Sequence, residues 1–118
     1  MQYLSVKEGP KNVSRIILGC MRMPSLSVEE AARQIEEAVA LGINFFDHAT
    51  CYGGGDAEAR FGAALQKTAL KREDLWIQDK CGLCFERNEF DWSKENIIKS
   101  VEESLKRLQV EYLLSLIH

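Results

Sequence analysis

No apolar run in this sequence approaches the roughly 20 residues that a membrane-spanning helix needs. Neither sign of charge predominates: 15 Lys and Arg stand against 18 Asp and Glu, for a net charge of −3. Without a basic patch, a nucleic-acid footprint is not expected. The opening MQYLSVKEGP lacks the basic-then-apolar order of a signal peptide. Nothing points to secretion, so the four cysteines are expected to be reduced thiols and the protein cytoplasmic. Low-complexity segments and repeats are absent as well. What is present is the balance of an ordinary globular protein, with 46% hydrophobic and 28% charged residues. A length of 118 residues suits a single domain, 1–118.

Along the chain, short apolar runs alternate with amphipathic stretches. RIILGC (Arg15 to Cys20) reads as a strand stopped by glycine. Ser27 and Glu30 then form a capping box for a helix with Ala31, Ile35, Ala38 and Val39 on one face, closed by Gly42. INFFD is the second strand, and Asp56 to about Lys67 the second helix, with Phe61, Ala64 and Leu65 on one face. LWIQ (Leu75 to Gln78) is the third strand, followed by a loop rich in Cys, Arg and Asn. Ser93 caps a third helix whose stripe is Ile97, Ile98, Val101, Leu105 and Leu108, and YLLSLIH (Tyr112 to His118) is the fourth strand. Before all of these, MQYLSVKEGPKNVS can form a hairpin with EGPK as its turn. Strand–helix alternation predicts parallel strands joined by crossovers, either in a doubly wound sheet or in part of a (β/α) barrel.

In both architectures chemistry belongs at the C-terminal ends of the strands. Those ends carry Gly19 and Cys20, then Asp47 with Tyr52 in the loop beyond, then Lys80, then His118. An acid, a phenol, an amine and an imidazole brought to one rim form a coherent set. A phenol is a poor proton donor at neutral pH, and a nearby ammonium favours its ionised form. A carboxylate keeps the ammonium charged and in place, and the imidazole can orient a carbonyl oxygen. Taken singly, each residue has an ordinary reading: Asp47 before Gly53-Gly54-Gly55 is common turn chemistry, and a terminal His118 is simply a free end. The glycines lack the spacing of a phosphate-binding loop.

GINFFDHATCYGGGDAEARFGAAL resembles the aldo-keto reductase motif in which Asp and Tyr stand five residues apart after the second barrel strand. IQDKCG is similar to that family's third strand with its lysine, SVEESLKRLQVEYLLSLIH to the helix and fourth strand ending in the catalytic histidine, and SRIILGCMRMP to the first strand and cofactor-facing loop. The resemblance covers essentially the whole chain and implies the N-terminal half of a (β/α)8 TIM barrel, with four parallel strands and three helices. It implies reduction of an aldehyde or ketone with NADPH or NADH. Tyr52 would donate the proton, Lys80 would ease its loss, Asp47 would pair with Lys80 and lie near the nicotinamide ribose, and His118 would orient the substrate. Gly19, Cys20, Met21 and Arg22, with Asp47, would face the cofactor, and Cys51 would line the pocket mouth. Two departures from the family pattern stand out: Asp79 replaces the usual Ser or Thr before the lysine, and Leu114 replaces an Asp. The family's phosphate-gripping segments and last four strands have no counterpart here. The chain alone is therefore expected to be inactive, and either to self-associate or to pair with a C-terminal half.

Two other readings compete. His48, Cys51, Cys81 and Cys84 have zinc-like spacing, although His48 directly follows a buried strand rather than sitting in a tight loop. A half-barrel that acts only by association is the other.

Overall fold

The apolar runs become strands of one parallel sheet because the helices that connect them cover one of its faces. The computed structural model describes residues 1–7, 12–84 and 87–117. An antiparallel pair, β1 (Tyr3–Leu4) and β2 (Val13–Ser14), opens the chain, with Tyr3 opposite Ser14. The expected hairpin is thus present, while its EGPK turn lies outside the described residues. Four strands follow in the order β3 (Leu18–Gly19), β4 (Phe45–Asp47), β5 (Trp76–Lys80) and β8 (Ser115–Ile117), every neighbouring pair parallel. Helices α1 (Val28–Ala40), α2 (Asp56–Leu65) and α3 (Lys94–Leu108) join them in turn. This is the four-strand, three-helix partial barrel that the resemblance implies, where alternation alone also allowed a doubly wound sheet.

Helix boundaries follow local hydrogen bonding. The Ser27 hydroxyl accepts the Glu30 N–H at 3.1 Å and the Glu30 carboxylate accepts the Ser27 N–H at 2.8 Å, a complete capping box. At the other end, the Gly42 N–H donates to the Val39 carbonyl and the Ile43 N–H to that of Ala38, both at 2.9 Å, closing α1 with a Schellman motif. Ser93 caps α3 by accepting the Asn96 N–H at 3.2 Å.

The core lies between the strands and the helices. Phe46 and Ile77 point from the sheet onto Ile35, Phe61 and Leu108, all fully buried. α2 lies so close to α3 that a Cβ on Gly62 would come within 2.3 Å of the Arg107 carbonyl oxygen. The hairpin sits at the opposite end of the sheet from the strand C-termini. There Asn44, just ahead of β4, accepts the Ser14 N–H at 2.9 Å and donates its own N–H to the Ser14 hydroxyl.

Three details depart from the sequence reading. RIILGC pairs in the sheet only at Leu18–Gly19, because the Arg15 N–H turns back to the Gln2 carbonyl and leaves Ile16 and Ile17 exposed. The loop after β5 contains an antiparallel hairpin, β6 (Leu83–Cys84) with β7 (Glu89–Phe90), where Asn88 takes the left-handed conformation (φ 49°) that asparagine tolerates. On α3 the buried positions are Ser104 and Leu108, whereas Ile98 is 48% exposed: the face turned to α2 is partly polar. No helix among the described residues is long and apolar enough to cross a membrane.

Candidate active site

Strand alternation decides which side chains meet. On β4, Phe46 faces the helices while Phe45 and Asp47 lie half-buried on the other face. On β5, Ile77 and Asp79 are fully buried toward the helices, so Trp76, Gln78 and Lys80 share the face of Phe45 and Asp47. The Phe45 and Trp76 rings meet there at 5.8 Å between centroids. The register sets Asp47 between Gly19 and Gln78, and Lys80 opposite Ile117.

The Lys80 ammonium lies 2.6 Å from both carboxylate oxygens of Asp47 and donates to the His48 carbonyl at 2.6 Å. Gln78 donates its side-chain N–H to Asp47 Oδ1 at 2.7 Å. Burial works against the charge on Lys80, but hydrogen bonding to Asp47 and Tyr52, with their negative charge, outweighs it and raises the lysine pKa above its ordinary range. The same ammonium sits 4.9 Å from the centre of the Tyr52 ring. Asp47, Tyr52 and Lys80 are thereby brought together at one rim.

Tyr52 reaches that position through its loop. Its N–H donates to the Ala49 carbonyl at 3.0 Å, and it opens a 3₁₀ turn, Tyr52–Gly55, in which Gly53, Gly54 and Gly55 have φ of 60°, 64° and 100°. Three successive left-handed residues need glycine, which is why the tyrosine precedes such a run. A cleft of about 200 Å³ opens in front, walled by Ala49, Tyr52, Lys80, Leu83 and Phe90, with Cys51 and Cys81 also on its lining.

Of the other predicted positions, Gly19 is exposed and a Cβ there would meet nothing, so open space lies beside Asp47. Met21 and Arg22 are exposed, whereas Cys20 is buried, its thiol donating to the Leu18 carbonyl at 3.5 Å. Burial, reinforced by the charge of Asp47, pushes the Cys20 thiol pKa well up. His118 lies outside the described residues; it follows Ile117 in the chain. His48 is fully buried, its ring edge-on to Phe61 at 4.5 Å between centroids, facing away from the cleft that holds Cys51 and Cys81. Among the described residues, no three or more His, Cys, Asp or Glu side chains are grouped to hold a metal ion.

Sequence reasoning missed Gln78, which holds Asp47, and Glu58, buried among the helices. Gln78 was readable by alternation, two residues before Lys80 on the same face. Glu58, fully buried at the start of α2, pairs with Arg107 of α3 at 2.5 Å. Its signal was helical spacing: Glu58 stands three and seven residues before the core positions Phe61 and Leu65.

Residues 15–118 match the Aldo/keto reductase family model. The Escherichia coli oxidoreductase YdhF is 37% identical over 94% of this chain and 40% of its own length. The L-galactose dehydrogenase of Arabidopsis thaliana is 41% identical over 72% of this chain, but only 26% of its own length. A holo-form aldo-keto reductase from Bacillus halodurans superposes with a TM-score of 0.78 at 32% identity, covering 96% of this chain and 38% of that one. The chain thus spans less than half the length of these relatives. By its fold, its strand-end residues and this match, the chain belongs to the aldo/keto reductase family.

Proposed function

We propose that the chain contributes the proton-donating half of an NADPH- or NADH-dependent carbonyl reductase. The observation that carries this reading is the Asp47–Lys80 pair, with Nζ 2.6 Å from both carboxylate oxygens and 4.9 Å from the centre of the Tyr52 ring, at the mouth of a cleft. When bound, the nicotinamide supplies a hydride to the carbonyl carbon of an aldehyde or ketone. As the carbonyl oxygen gains charge, Tyr52 gives it the phenolic proton, and an alcohol results. The Lys80 ammonium stabilises the negative charge left on the phenol oxygen. Asp47 fixes the ammonium, and Gln78 fixes Asp47. The open space beside Gly19, bordered by Asp47, is where the nicotinamide and its ribose would lie, with Met21 and Arg22 exposed alongside. His118, following the residue opposite Lys80, would orient the carbonyl.

The test is NADPH-dependent aldehyde reduction by a chimera in which residues 1–118 precede the C-terminal half of YdhF. Tyr52→Phe is expected to lower kcat by about 10²-fold or more, the scale of general acid catalysis. Equal turnover by that variant would refute the assignment.

A second feature favours a role that depends on association. β3 and β8 each have a single neighbour in the sheet, and Ile16, Ile17 and Ile117 are exposed at or beside these two outer strands. We infer that the sheet is completed by a second half-barrel, whether joined to this one in the same polypeptide, supplied as a separate C-terminal half, or formed by another copy of the chain.

A further inference from the structure

Directly behind Lys80, on the opposite face of β5, lies a buried charge problem. Asp79 is fully buried, and its Oδ1 accepts the backbone N–H of Lys80 at 2.8 Å. Its carboxyl group is within hydrogen-bonding reach of the Glu58 carboxyl and of the Ser104 hydroxyl. Glu58, also fully buried, spends Oε2 on Arg107 at 2.5 Å. Asp79 Oδ2, Glu58 Oε1 and the Ser104 hydroxyl are all buried without a hydrogen-bond partner, so with both acids ionised one uncommitted hydroxyl would face two orphaned carboxylate oxygens. Two buried negative charges would then share the single positive charge of Arg107, because His48, the nearest imidazole, is held neutral by burial. One proton between the two carboxyls supplies the missing donor and balances the charge. A carboxyl pair in contact holds such a proton for the same reason: both groups cannot ionise together at low cost.

We propose that Asp79 and Glu58 share one proton in the folded chain, and that this acid pair is a positioning device that ties β5, and with it Lys80, to α2 and α3. The titratable and polar groups around the pair are Asp47 at the end of β4 and His48 just after it, Lys80 from β5, Cys81 just beyond it, and Ser104, Arg107 and the half-exposed Glu103 from α3. Burial, with the neighbouring Glu58, raises the Asp79 carboxyl far above the ordinary acid range, to about 8. The shared proton is therefore lost in mildly alkaline solution. Two like charges then face each other across the β5–α2 contact, and the backbone N–H of Lys80 senses the change through Asp79 Oδ1. The importance of Lys80 rests on the carbonyl-reducing reading above; the shared proton does not.

The tests need no turnover, so their failure is distinct from failure of that reading. Infrared difference spectra of the intact chain between pH 6 and 10 are expected to show loss of a protonated-carboxyl C=O band, with a midpoint near 8. That band should be missing in both Asp79→Asn and Glu58→Gln. The Lys80 amide resonance is expected to titrate with the same midpoint in the wild type and to stay fixed in Asp79→Asn. Between pH 6.5 and 8 the wild-type Tm should fall while that of Asp79→Asn stays level. Should both variants fail to fold, the wild-type infrared band and Lys80 titration decide alone. Absence of the band at pH 6, or a Lys80 amide indifferent to pH across this range, overturns the proposal.

Discussion

The ammonium of Lys80 lies at equal distance, 2.6 Å, from the two carboxylate oxygens of Asp47 on the adjacent parallel strand. Pairing of this kind keeps the lysine charged and leaves it only a short reach to Tyr52. Asp47→Asn removes the counter-charge while keeping the shape. Lys80 has its folded pKa raised, so the pair stabilises the fold below the unfolded lysine value of 10.5, and that contribution is lost as pH rises through the folded value. In the chimera, Asp47→Asn is expected to lower kcat by about tenfold or more and to move the alkaline limb of its pH profile to lower pH. An unchanged profile would separate Lys80 from the chemistry.

His48 predicts behaviour at the acid end. Burial lowers its pKa to about 4, against 6.5 for an ordinary histidine. Folding therefore excludes the proton, so the contribution is present above 6.5 and is lost as pH falls from 6.5 toward 4. The interval corresponds to roughly 3 kcal/mol at about 1.4 kcal/mol per pH unit. His48→Phe keeps a ring against Phe61 and cannot take a proton. The stability difference between wild type and variant, measured by urea unfolding, should shift in favour of the variant as pH falls through this interval. A constant difference would mean that the imidazole is solvated.

Gly62→Ala should destabilise the chain with no change at the rim. The new methyl would meet the Arg107 carbonyl oxygen at 2.3 Å and the Leu108 carbonyl carbon at 2.7 Å, both backbone atoms that cannot swing aside. Overpacking at such a contact costs about 1–3 kcal/mol. Thermal unfolding checks it: a Tm equal to wild type would show that α2 and α3 do not approach so closely.

In light scattering, residues 1–118 alone should have a mass of at least twice 13.4 kDa, because among the described residues β3 and β8 each have a single sheet neighbour. Addition of a C-terminal half-barrel should replace self-association with a one-to-one complex. A stable monomer with no affinity for such a half would count against association.

The sequence was most legible where period and punctuation agree. Ser27, Glu30 and Gly42 bound α1 as expected, because caps are local hydrogen-bonding devices whose residues are specific to them. Asp47, Tyr52 and Lys80 could be placed together because parallel strands align their C-terminal ends. The β6–β7 hairpin was not legible, since its paired residues are few and its turn depends on one left-handed asparagine. Nor was the polar face of α3. Apolar spacing alone marked Ile98 as buried and passed over Ser104, a polar residue on the buried face of α3 whose burial comes from packing against elements distant in sequence.

Because Asp79 and Lys80 are consecutive on β5 but belong to opposite faces, a saturation library along Trp76–Lys80 should sort its losses by residue parity. Changes at Ile77 and Asp79 should deplete the amount of soluble protein. Substitutions at Gln78 and Lys80 should lower abundance far less and remove reductase signal from cells that carry the completed barrel. One five-residue stretch would then report on folding and on catalysis at alternate letters.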